Sequence, residues 1–134
     1  MSPEKEEHLV AICPELFPKH PELTSIYLFG FECGDGWFDL LKELIEQLKA
    51  ILEDRKTRVD EDEDFPMTVS QVKEKYGMLR FYMSCSTDPV EEAIEAAERK
   101  SGKTCESCGE LGSMRERNRW YMVRCDQCFN ANCA

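Results

Sequence analysis

Apolar residues recur at helical spacing through residues 37–55, "WFDLLKELIEQLKAILEDR". Trp37, Leu40, Leu41, Leu44, Ile45, Leu48, Ile51 and Leu52 form one continuous stripe. The stripe predicts a long amphipathic helix whose apolar side is core. Each leucine buried there contributes about 1.5–3 kcal/mol by transfer out of water. Asp35 is the expected N-cap, with Asp39 and Glu43 near the positive end of the helix dipole.

Shorter patterns flank this helix. Residues 4–17 place Leu9, Ile12, Leu16 and Phe17 on one helical face, and Pro14 limits that helix. "PKHPEL" at 18–23 is a link rich in breakers. "SIYLFGFECGDG" at 25–36 is apolar and then glycine-rich, and reads as an extended piece or turn leading into the long helix. Beyond the acidic loop "DEDED" at 60–64 the period changes to two. Leu79, Phe81, Met83 and Cys85 alternate with Arg80, Tyr82 and Ser84, which predicts two strands around a turn at Tyr76-Gly77. "DPVEEAIEAAERKSG" at 88–102 predicts a short helix with Asp88 as cap, Pro89 in its first position and Gly102 at its end. Val90, Ala93, Ile94 and Ala97 make its inner stripe. The expected fold is therefore α+β: amphipathic helices with a β-hairpin in a body at 1–101, followed by a small C-terminal unit at 102–134.

That unit holds "CESCGELGSMRERNRWYMVRCDQC", with the spacing C-x2-C-x16-C-x2-C. Each C-x-x-C presents two sulfurs from one tight turn, and zinc takes four soft ligands in a tetrahedron. Cys105, Cys108, Cys125 and Cys128 are the expected ligands of one structural Zn2+ in a zinc ribbon, with "RWYMVR" as its second strand. Gly109 suits the exit from the first turn. Cys133 is a possible substitute ligand, although the tail "FNANCA" reads as frayed. Cys13, Cys33 and Cys85 lie among apolar residues and read as buried thiols. A thioredoxin-type redox pair would need a βαβ setting that the pattern does not provide.

Compartment supports metal over disulfides. No apolar run approaches the roughly 20 residues of a membrane span. The N-terminus lacks the charged-then-apolar layout of a signal peptide, so a cytoplasmic location is expected, where stable disulfides are rare.

Charge bears on partners. The net charge is −10. Residues 1–101 hold 12 Lys/Arg and 23 Asp/Glu, a net −11; residues 102–134 hold 5 and 4, a net +1. An acidic body repels nucleic acid and favours solubility and basic partners. Within the ribbon, Arg115, Arg117, Arg119 and Arg124 accompany Trp120 and Tyr121. Basic residues interleaved with aromatics can hold phosphate and stack bases. The competing reading, which the charge split favours, is that Trp120 packs the ribbon on the body and the arginines pair with the body's acidic surface. Glu32, Asp35 and Asp39 converge near Gly34 and Gly36, where carboxylates could bind a cation or act as acid and base, or simply cap the start of the helix.

Taken together, "FECGDGWFDLL", "VSQVKEKYGMLRFY" and "KTCESCG…RWYMVRCDQC" resemble a group of small proteins of phages, prophages and their bacterial hosts that carry a C-terminal four-cysteine zinc ribbon. The resemblance covers roughly residues 28–128. It implies a mobile-element setting and a zinc ribbon, and brings no activity with it. The sequence thus points to a small acidic zinc-binding protein without enzymatic activity that binds a protein partner, such as a host or defence factor. Asp60, Glu61, Asp62, Glu63 and Asp64 are the expected contact region. The alternative is nucleic-acid binding through Arg115, Arg117, Arg119 and Trp120. A metal-dependent enzyme centred on Glu32–Asp39 ranks below both.

Overall fold

The computed structural model describes residues 1–17, 24–58 and 67–131. Helix α1 spans Pro3–Ile12, and Pro14 opens a short 3-10 turn, Pro14–Leu16. A proline has no N–H to donate and clashes with the preceding turn, so the α-helix stops before it. Leu9, Leu16 and Phe17 are buried. Of the segment 25–36, expected to be an extended piece or turn, Ser25–Phe29 instead forms a five-residue helix, α2, while Phe31–Glu32 is extended and Asp35–Trp37 turns into the next helix. Short apolar runs do not distinguish the two states by period. Here one residue, Ile26, is buried while Tyr27, Leu28 and Phe29 are exposed.

Strand β1, Phe31–Glu32, follows, and a 3-10 turn at Asp35–Trp37 leads into helix α3, Phe38–Arg58. The predicted stripe is the main core. Trp37, Leu40, Leu41, Leu44, Ile45 and Leu48 are buried, with Ile51 and Leu52 packed at the edge. Asp35 does not cap α3. It lies inside the 3-10 turn, and its Oδ1 accepts the Ser2 N–H at 2.9 Å, so α1 takes the carboxylate.

Strands β2, Val69–Lys75, and β3, Met78–Met83, form the expected hairpin. Tyr76 and Gly77 both have positive φ (52° and 85°), and Lys75 pairs with Met78 across the turn. A two-residue turn of this hand matches the twist of the strands. β1 pairs in parallel with β2, giving the order β1-β2-β3. Val69, Val72, Leu79 and Phe81 are buried.

Helix α4, Asp88–Ser101, packs on both α3 and β3. Asp88 lies in its first turn and Thr87 holds the N-cap position, one residue earlier than expected, with no side-chain cap. α4 also satisfies the edge of the sheet. The Leu79 N–H donates to Ser101 Oγ (3.0 Å) and the Phe81 N–H to Glu98 Oε2 (3.2 Å). Two outward-facing N–H groups of β3 are thereby removed from pairing with another chain.

This packing makes α3 the structural centre of the body. Leu44→Ala or Leu48→Ala is expected to cost about 2–5 kcal/mol, the range for large-to-small core changes. Chemical denaturation measures it, and losses below about 0.5 kcal/mol at both positions would place the stripe outside the core.

Candidate metal centre

The C-terminal unit is built on a second hairpin, β4 (Ser113–Arg117) and β5 (Trp120–Arg124). Its two-residue turn, Asn118-Arg119, is left-handed at both positions (φ 52° and 68°). Before β4, the Cys105 N–H donates to the Glu110 carbonyl (2.7 Å) and the Gly109 N–H to the Cys105 carbonyl (2.9 Å). Gly109 has φ +85°, a conformation that glycine adopts without the penalty a Cβ brings. This turn aims Cys105 and Cys108 to one side. After β5, helix α5 (Asp126–Ala131) places Cys128 one turn beyond Cys125, and the Cys128 N–H reaches Cys125 Sγ at 3.4 Å.

These two turns bring all four expected ligands together. The sulfurs of Cys105, Cys108, Cys125 and Cys128 lie within 4.8 Å of one another, and Cys108 and Cys125 are 3.7 Å apart. Four thiolates about 2.3 Å from a central zinc would be separated by about 3.8 Å, the edge of that tetrahedron. The donor set therefore fits a metal ion. Burial pushes the Cys105 thiol up, but the backbone N–H groups of Cys125, Cys108 and Ser107 outweigh it and bring it down to about 6. Hydrogen bonding to Cys125 and Cys108 raises Cys128 to about 12. Four clustered sulfurs resist being charged at once, and a divalent cation removes that resistance.

The site is fixed to the body through Glu106, beside the first ligand. Its carbonyl accepts the Gly36 N–H (2.7 Å), and its Oε2 accepts the Gly34 N–H (2.8 Å). Its own N–H donates to the Val123 carbonyl (3.0 Å), and Oε1 pairs with Arg124 at 3.4 Å. Beside it, Trp37 Nε1 donates to the Thr104 carbonyl at 2.9 Å. The two glycines make this approach possible. A Cβ on Gly34 would lie 2.5 Å from the Glu106 carbonyl oxygen, and one on Gly36 would run into the main chain of Cys105 and Glu106. Glu106 carried no motif in the sequence. The available signal was the Gly-Asp-Gly preceding a tryptophan.

The arginines are not where charge complementarity put them. Arg115 donates to Asp126 at 2.5 Å and to the Arg124 carbonyl at 3.0 Å. Arg117 donates to the Phe129 carbonyl at 3.1 Å and stacks on the Phe129 ring, 4.1 Å from its centroid. Both are engaged by α5, because α5 folds back beside the hairpin. That helix also corrects the frayed tail as far as Ala131; Cys133 lies outside the described residues. Trp120 does not pack on the body. It is 72% exposed beside Arg119 at the hairpin turn, because the ribbon meets the body through its cysteine turn, where Trp37 is the tryptophan at the contact, and through Met114 and Met122 against Gly77.

The other candidates disperse. Glu32 accepts from Gln71 (3.4 Å), Asp35 from Ser2, and Asp39 is exposed on α3. None belongs to the metal-capable group found among the described residues. Asp60, Glu61, Asp62, Glu63 and Asp64 lie outside the described residues. Cys13 and Cys33 are buried, as expected; Cys85 is half-buried. Burial, then Glu106, pushes the Cys33 thiol up to about 12. No described helix is long and apolar enough to cross a membrane. No protein-family model, curated protein or solved structure matches the chain.

Two outcomes follow. Elemental analysis after expression with ample metal should give one zinc per chain. Cys125→Ser should abolish binding, Cys133→Ser should leave the ratio unchanged, and a wild-type ratio near zero would refute the site. Gly36→Ala should destabilise the docked state by about 1–3 kcal/mol, as overpacking does. Metal content should persist, and in a Trp120→Phe background the Trp37 emission should shift to the red. Unchanged stability and emission would show that the approach at Gly36 is dispensable.

Proposed function

We propose that the chain is a non-enzymatic zinc protein whose acidic body binds a basic surface on a protein partner, a host or defence factor in a bacterium carrying a mobile element. The observation that carries this reading is the closed four-sulfur set. Four thiolates fill the coordination sphere of zinc and leave no position for water or substrate. An all-sulfur set also suits zinc better than magnesium or calcium, which take oxygen. Among the described residues of the ribbon, Cys105 and Val123 are the buried hydrophobic ones. So small a core supplies little folding energy, and the metal supplies the rest.

With the metal in a structural role, recognition falls to the surface. The body's net −11 produces a field that attracts cationic partners and speeds their association. A second reading, single-stranded nucleic acid held on the ribbon, draws support from the exposure of Trp120 beside Arg119. Arg115 and Arg117 weaken it, since both are engaged within the ribbon.

Affinity capture from a bacterial lysate with the zinc-loaded protein tests the choice. The expected catch is a protein with a basic surface, released as ionic strength rises toward about 1 M, where screening acts within ~3 Å. Neutralising Asp60, Glu61, Asp62, Glu63 and Asp64 to Asn and Gln should slow its association and flatten the salt dependence. Nucleic acid in the catch, lost on Arg119→Ala and Trp120→Ala, would replace this reading with the second.

A further inference from the structure

An open groove of ≈ 390 Å³ runs between the end of β3 and the outer side of α4. Its floor is apolar: Phe81, Met83 and Ile94. Its wall is acidic, with Glu91, Glu95 and Glu98 about one helical turn apart along α4. No Lys, Arg or His is among the described residues that line it. Ser86 Oγ donates to Glu91 Oε1 (2.8 Å) and the Phe81 N–H to Glu98 Oε2 (3.2 Å), which fixes these two carboxylates at the rim.

We propose that this groove docks an extended basic segment of a protein partner. One apolar side chain of that segment lies over Phe81, Met83 and Ile94, and Lys or Arg on either side faces the glutamates. The inference rests on the protein-binding reading above and locates its site. The spacing selects the occupant. Glu91 and Glu98 are seven residues apart, about 10 Å along a helix rising 1.5 Å per residue. One metal ion, with oxygen ligands at about 2.0–2.6 Å, cannot bridge that length. An extended segment in the polyproline II conformation covers it in one turn of three residues, at about 3.1 Å each, which brings side chains three positions apart to the same side. Two cations three positions apart, with an apolar residue between them, match the wall and the floor together. Phosphate-bearing partners meet like charge here.

The test uses the full zinc-loaded chain, labelled with 15N and titrated with the blocked peptide Gly-Lys-Leu-Ser-Lys-Gly. Saturable shifts are expected at amides of β3 and of residues 90–98. Replacing both peptide lysines by glutamate, or its leucine by glycine, should abolish them. Glu91→Gln combined with Glu95→Gln should weaken binding about five- to tenfold, the worth of two exposed charge pairs, with the rest of the spectrum unchanged. Equal shifts from spermidine at equal affinity would reduce the groove to a cation-attracting surface and overturn the proposal. Shifts elsewhere on the body, or none up to about 5 mM peptide, would overturn it too. A basic protein captured equally well by the Glu91→Gln, Glu95→Gln variant would leave the protein-binding reading standing and remove only this groove.

Discussion

Gly34 and Gly36 allow two stretches of main chain to lie directly against each other, and the placement of the metal centre on the body depends on that approach. Glu106 holds it from the other side with its carbonyl and one carboxylate oxygen, while its second oxygen reaches Arg124 on β5. Trp37 closes the contact, at once the first large residue of the α3 stripe and a donor to Thr104. The core and the metal turn therefore meet at neighbouring residues. A metal that orders Cys105 also orders the carbonyl that Gly36 needs, so folding of the ribbon and the start of α3 are coupled.

Around that contact the labour divides. The four sulfurs gather in one group that could hold a metal ion, with Cys105 buried beneath it and Cys108 at the surface. Three of the ribbon's four arginines, which in isolation resemble a phosphate-binding strip, are engaged within it: Arg115 by Asp126 and Arg117 by Phe129 of α5, and Arg124 by Glu106. The basic character of the ribbon is thus largely internal. The acidic character of the body is external, and on α4 it borders an apolar floor. An interface commonly combines an apolar centre with charge at its rim, and the β3–α4 groove has that arrangement. The same helix shields the β3 edge through Ser101 and Glu98.

Much of the architecture was legible because its signals are periodic. The stripe from Trp37 to Leu52 repeats at helical spacing, the β3 alternation has period two, and the double C-x-x-C has the spacing of a four-sulfur site. The structure matches all three. What escaped were features with no period. Residues 25–29 could be strand or helix from composition alone. Asp35 looks like a cap until Ser2, distant in sequence, claims its carboxylate. Trp120 looks like an anchor until docking is seen to run through the cysteine turn and through Met114 and Met122 at Gly77. Glu106 looks like an ordinary residue between two ligands, because a contact between main chains leaves its trace in its partners, the glycines, rather than in itself.

The central claim is that the metal centre and the body form one unit joined at Glu106. Amide spectra of the 15N-labelled chain, recorded with zinc bound and after removal by a chelator, test it most directly. The account predicts that the ribbon amides collapse, that the amides of Gly34 and Gly36 and the Trp37 indole N–H lose their native positions with them, and that the β2–β3 hairpin stays native away from its Tyr76-Gly77 turn, against which Met114 and Met122 of the ribbon lie. If the ribbon collapses while Gly34, Gly36 and Trp37 do not move, the two parts are independent and the claim is wrong.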